Sequence, residues 1–347
     1  MPTKLNVLIA SPLDAELAAR IAAVDIVAAL AYDPELLPVP RYPNDHAGTP
    51  RASTPDLQDR FDSMLARADV LFGYPDESAA GLRRSLERGP KIRFVQGTSA
   101  GMGAHIRRAD LPPEVLERVA FASAAGVHAG MLAEFAFYGL LTLRKDARRL
   151  ARIRANRGWD HYTMGELEGS TLAIVGMGQI GVAMAIRARA FGMHVIGVTR
   201  SGAPHPAVDE TVSTADLASF APRCDAMLVT LPITELTSGL ISAAVIAALP
   251  THAVLINVGR GAVLDESALI DALRAEKIAG AVLDVFATEP LPAQSPLWDM
   301  ENVILSPHTA ALSVRENERI VELFCDNLER LVAHRPLRNL VNLREFF

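Results

Sequence analysis

Cysteine is scarce in this 347-residue chain, which holds only Cys224 and Cys325. Two thiols so far apart provide neither a disulfide framework nor a metal-ligand spacing. No other grouping of His, Cys and carboxylate residues has the spacing of a metal site, so we expect no metal. Cys224 precedes an apolar run and Cys325 lies in a helical pattern, which is typical of reduced, buried thiols in a cytosolic protein.

An excess of positive charge is also missing, since the formal net charge is −6. A chain of this charge is not expected to bind nucleic acid. The densest basic cluster, at 144–157, is interrupted by apolar residues at helical spacing. This pattern favours a solvated helix face near a subunit contact over a phosphate-binding surface.

The sequence has no convincing membrane span or leader. The longest apolar stretch, 119–143, contains His128, Glu134 and three glycines, so we expect a buried helix there. The N-terminal run NVLIA is too short for a signal peptide, and Pro12 and Asp14 follow soon after it. We therefore expect a cytoplasmic protein that contacts no membrane.

Short apolar runs alternate with helical patterns along the N-terminal part. Residues 5–10, 68–74 and 92–96 read as strands, and 81–90 as a helix that ends at Gly-Pro. This alternation predicts a small parallel sheet. A proline-rich polar segment at 33–56 interrupts it and is expected to be a surface loop or insertion.

From residue 169 the alternation is stronger, and the predicted strands are nearly continuous Val/Ile/Leu runs. Such runs are typical of a parallel sheet buried on both faces. The chain finishes with an amphipathic helix predicted at 314–334. Length favours about two domains, and the pattern predicts an α/β protein with two parallel sheets.

The glycine-rich segment VGMGQIG at 175–181 lies between a predicted strand and a predicted helix. In this context Gly176 permits a tight turn, Gly178 lets the backbone approach a pyrophosphate, and Gly181 lets the helix pack on the strand. The amides at the helix start, from Gln179 and Ile180, would then face the negative charge. We predict a dinucleotide site here.

The second strand of this region ends in Thr199, Arg200 and Ser201, where a carboxylate would bind an adenosine 2′-hydroxyl. An arginine and two hydroxyls suit a 2′-phosphate, which a carboxylate would repel. The residues therefore favour NADP over NAD. Arg200 stacking on adenine is the alternative.

Three side chains with complementary chemistry follow later strands, namely Arg260, Glu289 and His308. A guanidinium can bind a carboxylate and polarise a keto oxygen. A carboxylate beside an imidazole favours the protonated ring and orients it for general acid catalysis. Strand ends of an open parallel sheet are also where ligands bind. The three residues predict hydride transfer to a 2-keto acid.

Five motifs follow one another, VGMGQIG, LPITELTSGLI, NVGRGAVLDESAL, LDVFATEPL and ENVILSPHTA. On these motifs the chain from about 92 to 340 resembles the D-isomer-specific 2-hydroxyacid dehydrogenase family, which includes glyoxylate/hydroxypyruvate reductases. The resemblance implies two Rossmann-like domains. A coenzyme domain (125–313) would be inserted into a smaller substrate domain (1–124, completed by 314–347).

The resemblance also implies residue roles and an assembly. Arg260 would bind the substrate carboxylate and carbonyl, His308 would be the acid/base and Glu289 its partner. Backbone amides of the substrate loop would bind the substrate carboxylate, from Ser99, Ala100 and Gly101. Further cofactor contacts would come from Leu231, Pro232, Thr237, Val258, Asp284 and His308. A homodimer would form largely on the helix containing AEFAFYGLLTLRKDARRL.

The chain departs from the family pattern in two places, the loosely matching first 90 residues and His128, where the family often has Asn. Glu289 favours proton donation to a keto group, because formate dehydrogenases of this group have glutamine there. The expected activity is an NAD(P)-dependent oxidoreductase that reduces a 2-keto acid to a D-2-hydroxy acid. The alternative is a dinucleotide-sensing corepressor-like protein, which would usually carry a disordered tail. The sequence does not name the keto acid.

Overall fold

The computed structural model describes residues 4–52 and 54–344. The described residues leave out 1–3, 53 and 345–347. The predicted first domain includes all of these, and the predicted 33–56 segment includes residue 53. Contacts divide the chain into a first unit, Met1–His128 with Leu312–Phe347, and a second unit, Ala129–Ala311. The second unit is thus one continuous segment between the two parts of the first. Sequence reasoning placed these borders at 125 and 313.

The first unit is built on a five-stranded sheet in the order β2-β1-β3-β4-β5. Every neighbouring pair of strands is parallel. The strands are β1 (Leu5–Ile9), β2 (Val27–Ala31), β3 (Val70–Phe72), β4 (Phe94–Gln96) and β5 (Ala120–Ala122). Because all carboxyl ends of a parallel sheet meet at one edge, the loops after β1, β3 and β4 are neighbours.

Helices cover this sheet with their apolar faces. They are α1 (Ala15–Ala22), α2 (Pro55–Leu65), α3 (Ala79–Arg88), α4 (Met102–Ala109), α5 (Pro113–Arg118) and, from the C-terminal part, α12 (Glu316–Val332). Phe324 of α12 stacks against Phe94 and meets Phe72 edge to face. All three rings are fully buried, so the last helix is part of the core of the first unit.

The second unit is built on a seven-stranded, all-parallel sheet in the order β12-β11-β10-β9-β6-β7-β8. Its strands are β6 (Thr171–Val175), β7 (His194–Thr199), β8 (Glu210–Ser213), β9 (Ala226–Val229), β10 (Val254–Asn257), β11 (Gly280–Leu283) and β12 (Val303–Leu305). The order runs outward in both directions from β6 and β9, as in doubly wound folds, and the loops between them form the switch point.

Helices lie on both faces of this sheet, because the central strands are apolar on both sides. They are α6 (Ala129–Arg144), α7 (Ala147–Ala155), α8 (Gln179–Ala190), α9 (Leu217–Phe220), α10 (Ala243–Ala248) and α11 (Glu266–Arg274). One core cluster contains residues of α6 and α8 and the other residues of α10 and α11. Two parallel-sheet α/β units confirm the predicted fold class.

Two sequence expectations need correction. The 119–143 stretch is not one buried helix, because its first part forms β5 and only Ala129–Arg144 is helical. No helix in the described ranges has the length and apolar character needed to cross a membrane. The 33–56 segment is mostly irregular, but it is not purely surface, since Leu37, Asp45 and His46 are buried.

Candidate active site

The three predicted catalytic residues follow three adjacent strands of the second sheet. Arg260 lies beyond β10, Glu289 beyond β11 and His308 beyond β12, and these strands pair in that order. Parallel pairing brings all three loops to the same edge. The structure therefore brings together side chains that are 48 residues apart in sequence, from Arg260 to His308.

His308 and Glu289 form a direct contact, with 2.7 Å between Nδ1 of the ring and Oε2 of the carboxylate. His308 has a left-handed backbone, with φ 55°, and its side chain is partly exposed. Because the contact uses Nδ1, the other ring nitrogen, Nε2, can serve a ligand. The pair is therefore built like an acid/base group oriented by a carboxylate.

The second oxygen of Glu289 is also held. Oε1 accepts a hydrogen bond from the Phe286 amide at 3.0 Å. Partial burial alone would raise the pKa of Glu289, but the His308 ring and the Phe286 amide, together with the charge of Arg260, hold it below its ordinary value. The carboxylate is thus kept ionised beside the imidazole.

The Arg260 loop is positioned by a residue that sequence reasoning missed. Asn257 is fully buried; its Oδ1 accepts the Gly259 amide at 3.0 Å and its Nδ2 donates to the Arg260 carbonyl at 3.1 Å. The signal was available, because an Asn at the end of an apolar strand needs a partner when buried. Arg260 itself donates from Nη1 to the Gly259 carbonyl at 2.7 Å.

Gly261 joins the Arg260 loop to the Glu289 loop. A Cβ at this position would lie 1.9 Å from the Phe286 carbonyl carbon, so only glycine fits. The loop that leads to Glu289 is also held by Glu266, whose Oε2 accepts a hydrogen bond from the Ala287 amide at 2.9 Å. Sequence reasoning noted the glycines on both sides of Arg260 but did not select Glu266. Through these contacts, both residues join the loop of Arg260 to the loop of Glu289.

Asp284 is buried and serves the His308 loop. Its Oδ1 accepts the Ser306 hydroxyl at 2.8 Å and the Ala310 amide at 3.0 Å, on either side of His308. Asp284 therefore stabilises the loop that contains His308. Its contact with the nicotinamide, expected from the resemblance, stays a prediction. Ser306 was not selected from the sequence.

The residues of the glycine turn fit a dinucleotide pyrophosphate. Gly176 has φ 108°, and a Cβ there would lie 2.6 Å from the Thr230 hydroxyl; a Cβ at Gly181 would lie 2.2 Å from the Gly176 carbonyl oxygen. Gly178 differs, because its added Cβ would meet no described atom within 4 Å. Contacts within the protein therefore do not require glycine at 178, whereas close approach of a phosphate to this helix start does.

Thr199, Arg200 and Ser201 form the turn after β7. Thr199 Oγ1 accepts the Gly202 amide at 3.1 Å, and Ser201 Oγ accepts the Ala203 amide at 3.2 Å. Each hydroxyl still has its proton to donate. Arg200 is exposed, and its carbonyl accepts the Ser213 hydroxyl. The turn thus presents one guanidinium and two hydroxyl donors.

The remaining predicted cofactor residues follow β9 and β10 at the same sheet edge. Thr237 Oγ1 donates to the Pro232 carbonyl at 2.7 Å and so closes the 232–237 turn. Leu231 lies against the glycine turn, since a Cβ on Gly176 would be 2.9 Å from its Cδ2. Val258 is buried, and its amide bonds to Val229.

The predicted substrate loop lies in the first unit. Ser99, Ala100 and Gly101 follow β4 and lead into α4, with Gly101 as the N-cap. The Ser99 carbonyl accepts the Ala124 amide at 3.0 Å, which anchors the loop to the segment after β5. Their part in substrate binding stays a prediction.

Comparison with known proteins identifies the family of this chain. Residues 137–310 match the family model described as "D-isomer specific 2-hydroxyacid dehydrogenase, NAD binding domain". The chain is 37% identical over 304 residues to a glyoxylate/hydroxypyruvate reductase B of Citrobacter koseri, covering 83% of this chain and 89% of the relative.

Two solved structures are similar over nearly the whole chain. One is a D-isomer specific 2-hydroxyacid dehydrogenase from Xanthobacter autotrophicus Py2 in complex with NADPH and MES (26% identity, TM-score 0.75, 99% of this chain and 100% of that one). The other is an NADPH-dependent glyoxylate/hydroxypyruvate reductase from Sinorhizobium meliloti in complex with NADP and sulfate (25% identity, TM-score 0.76, 99% and 100%).

Proposed function

This chain belongs to the D-isomer-specific 2-hydroxyacid dehydrogenase family, and on that premise we propose that it reduces a 2-keto acid to a D-2-hydroxy acid with a nicotinamide dinucleotide. The observation that supports this most directly is the 2.7 Å contact between His308 and Glu289 at the same sheet edge as Arg260. The reported relatives are named as reductases or dehydrogenases, so they do not favour the corepressor-like alternative.

The roles follow from the chemistry of each side chain. Arg260 binds the substrate carboxylate and polarises the keto oxygen, so that negative charge developing on that oxygen is stabilised. His308 donates a proton from Nε2 to this oxygen, since Nδ1 is engaged by Glu289. Glu289 keeps the ring oriented and compensates its positive charge.

The cofactor would be held by the glycine turn at 176–181 and by the turn at 199–201. A reduced nicotinamide, when bound, supplies the hydride that the keto carbon accepts. Leu231, Pro232, Thr237, Val258, Asp284 and His308 stay predicted contacts of the same cofactor. In the first unit, we keep the amides of Ser99, Ala100 and Gly101 as predicted ligands of the substrate carboxylate.

We favour NADP over NAD. The turn after β7 offers Arg200 and the hydroxyls of Thr199 and Ser201, and no acidic residue stands between them. A charge-assisted bond from a guanidinium suits a 2′-phosphate. Both structural relatives described above contain NADPH or NADP, which supports the same preference.

The test is reduction of glyoxylate, 3-hydroxypyruvate and pyruvate, each with NADPH and with NADH, followed by loss of cofactor absorbance. We expect at least one keto acid to be reduced, with higher kcat/KM for NADPH. Arg200→Ala is expected to lower kcat/KM for NADPH by about 10-fold or more, with a smaller change for NADH, since a charged hydrogen bond contributes about 1.5–3 kcal/mol. No reduction of any 2-keto acid would refute the function, and a clear preference for NADH would refute the role of Arg200.

The homodimer and the cytoplasmic location expected from the sequence stay predictions. Tyr138 on α6 and Trp159 are large exposed side chains, with Trp159 at 90% exposure, and burial of such residues is typical of interfaces. Light scattering coupled to size exclusion measures the mass in solution, and a monomer would contradict the dimer.

A further inference from the structure

The backbone of His308 has a conformation that residues other than glycine seldom adopt. Its φ of 55° is left-handed, and a side-chain-bearing residue keeps such a conformation only where its surroundings hold it. Because the direction of the Cα–Cβ bond depends on the backbone conformation, a return to negative φ would turn the ring away from Glu289. We therefore looked for the contacts that hold His308 on its amide side and on its carbonyl side.

The amide side of His308 is fixed to the sheet through Ser306. The Ser306 amide donates to the Leu283 carbonyl at 2.9 Å, which continues the pairing of β12 with β11. The Ser306 carbonyl then accepts the His308 amide at 2.9 Å across Pro307, in a three-residue turn of a kind common at strand ends. These contacts place the His308 nitrogen, but they leave rotation about its φ open.

The Ser306 hydroxyl joins the two sides of His308. Its Oγ donates to Oδ1 of Asp284 at 2.8 Å and lies 3.1 Å from Oγ1 of Thr309, the residue directly after His308. Because the one Ser306 proton is given to Asp284, the Thr309 hydroxyl is the donor in the second contact. The Thr309 amide also donates to Ser306 Oγ, at 3.4 Å. One hydroxyl thus links the residues on either side of the turn.

Asp284 completes the hold on the carbonyl side of His308. Its Oδ1, which accepts the Ser306 hydroxyl, also accepts the Ala310 amide at 3.0 Å. Asp284, Ser306 and Ala310 are at most 8% exposed, so water competes little for these bonds. Both residues after His308 are therefore tied to one carboxylate, Ala310 directly and Thr309 through Ser306. With both sides held, the φ of His308 is held as well.

We infer that Ser306 is a positioning residue for proton transfer, because its hydroxyl keeps His308 in the left-handed conformation that places the ring at Glu289. The inference rests on the proposed function and adds to it a residue that acts through His308. Without the hydroxyl, Thr309 loses its acceptor and Asp284 loses one donor, whereas the bond from Asp284 to the Ala310 amide remains. The His308 backbone then gains freedom while the sheet stays intact.

The first experiment is Ser306→Ala, which removes the hydroxyl and little else. The rate of hydride transfer is measured in a single turnover, with whichever of glyoxylate, 3-hydroxypyruvate and pyruvate the wild type reduces best. We expect this rate to fall about 10- to 100-fold, since a displacement of about 1 Å of a catalytic group has an effect of this size. The KM for the keto acid should change by less than about 3-fold, because His308 donates its proton only during the reaction.

A double variant separates positioning from a general structural role. Ser306→Ala should cause no further loss of rate in a His308→Asn background, because the group that Ser306 positions is then absent. A structural role would lower the rate by the same factor in both backgrounds. The matched control is Ser170→Ala, since Ser170 is also buried and donates to the Leu167 carbonyl at 2.6 Å, but directly precedes β6 at the opposite edge of the sheet. It should leave the rate unchanged.

Hydrogen exchange gives a readout that does not depend on turnover. In Ser306→Ala, the amides of Thr309 and Ala310 should exchange about 2- to 10-fold faster than in the wild type, as expected for the loss of a hydrogen bond that holds the loop. Exchange of the amides in β10 should not change. NMR resolves the individual amides, and melting temperatures of both serine variants check that they fold.

The outcomes separate this inference from the proposed function. If the wild type reduces a keto acid and Ser306→Ala keeps its rate, the positioning role alone is refuted. Equal losses from Ser306→Ala in both backgrounds, or unchanged exchange at Thr309 and Ala310, would refute it too. If the wild type reduces none of the three keto acids, the proposed function is refuted and the positioning role with it.

Discussion

Among the described residues, each unit contains one histidine–glutamate pair closer than 3 Å, and these two pairs have almost the same geometry in different surroundings. His308 and Glu289 in the second unit are 2.7 Å apart with side chains 44% and 35% exposed. His128 and Glu316 in the first unit are 2.8 Å apart with side chains 12% and 6% exposed. The distance between the partners therefore does not distinguish the candidate acid/base pair from the buried pair.

The two pairs differ in the bonding of the second carboxylate oxygen and in exposure to solvent. Glu289 has its other oxygen bonded to the Phe286 amide, so its pair is complete and the free ring nitrogen can serve a substrate. Glu316 has its other oxygen buried without a described partner. The exposed pair is suited to proton transfer, whereas the buried pair is shielded from solvent.

The largest expected effect is on turnover in the exposed pair. His308→Asn should lower kcat about 10²- to 10⁴-fold, because the proton donor is lost. Asparagine tolerates the left-handed backbone at this position. The matched control is His334→Asn, since His334 is also exposed and has φ 51° against 55° for His308. Unchanged kcat in His308→Asn would remove the proposed acid role.

The next effect is on stability and should be found in the buried pair. His128→Ala leaves Glu316 as an uncompensated buried charge, and such losses cost about 3–5 kcal/mol. His308→Ala should cost no more than about 1 kcal/mol, because its pair is solvent-exposed. Urea unfolding of both variants measures the difference. Equal losses would show that burial does not separate the two pairs.

A smaller effect is expected at the residue that positions Arg260. Asn257→Asp replaces the Nδ2 donor by an oxygen facing the Arg260 carbonyl, which displaces the guanidinium. We expect kcat/KM for the keto acid to fall about 10- to 100-fold, mostly through KM, with NADPH binding retained. Asn302→Asp, at the amino end of β12, is the control. Equal effects of the two substitutions would refute a positioning role.

The smallest effect is the pH dependence of Glu289. The pKa of Glu289 is lowered from 4.5 in the folded protein. Its contribution to the free energy of unfolding is therefore complete above pH 4.5 and is lost as the pH falls through the lowered pKa. A carbon-13 NMR titration of the Glu289 carboxyl group should therefore show it ionised throughout pH 8 to 5. Protonation that already begins between pH 7 and 5 would contradict a lowered pKa.

The second unit could be predicted far better than the first. Its strands alternate with helices in nearly unbroken Val/Ile/Leu runs, and the predicted residues Arg260, Glu289 and His308 do lie at one edge. Edge strand β8, with its partly exposed ETVS pattern, was not identified. Nor was β2, another edge strand. The side chains of both strands are only partly buried or exposed, so neither strand has a continuous apolar pattern.

The fold class, the glycine turn and the three catalytic candidates could be inferred from the residues alone, since each depends on local residue type and on periodicity along the chain. The contacts by which Asn257, Gly261 and Glu266 hold the loops of Arg260 and Glu289, and the burial of His46 beside Ser11, became visible in the folded chain. These contacts join residues distant in sequence. Whether a polar atom is buried and satisfied depends on which strands are neighbours, and no local pattern encodes that.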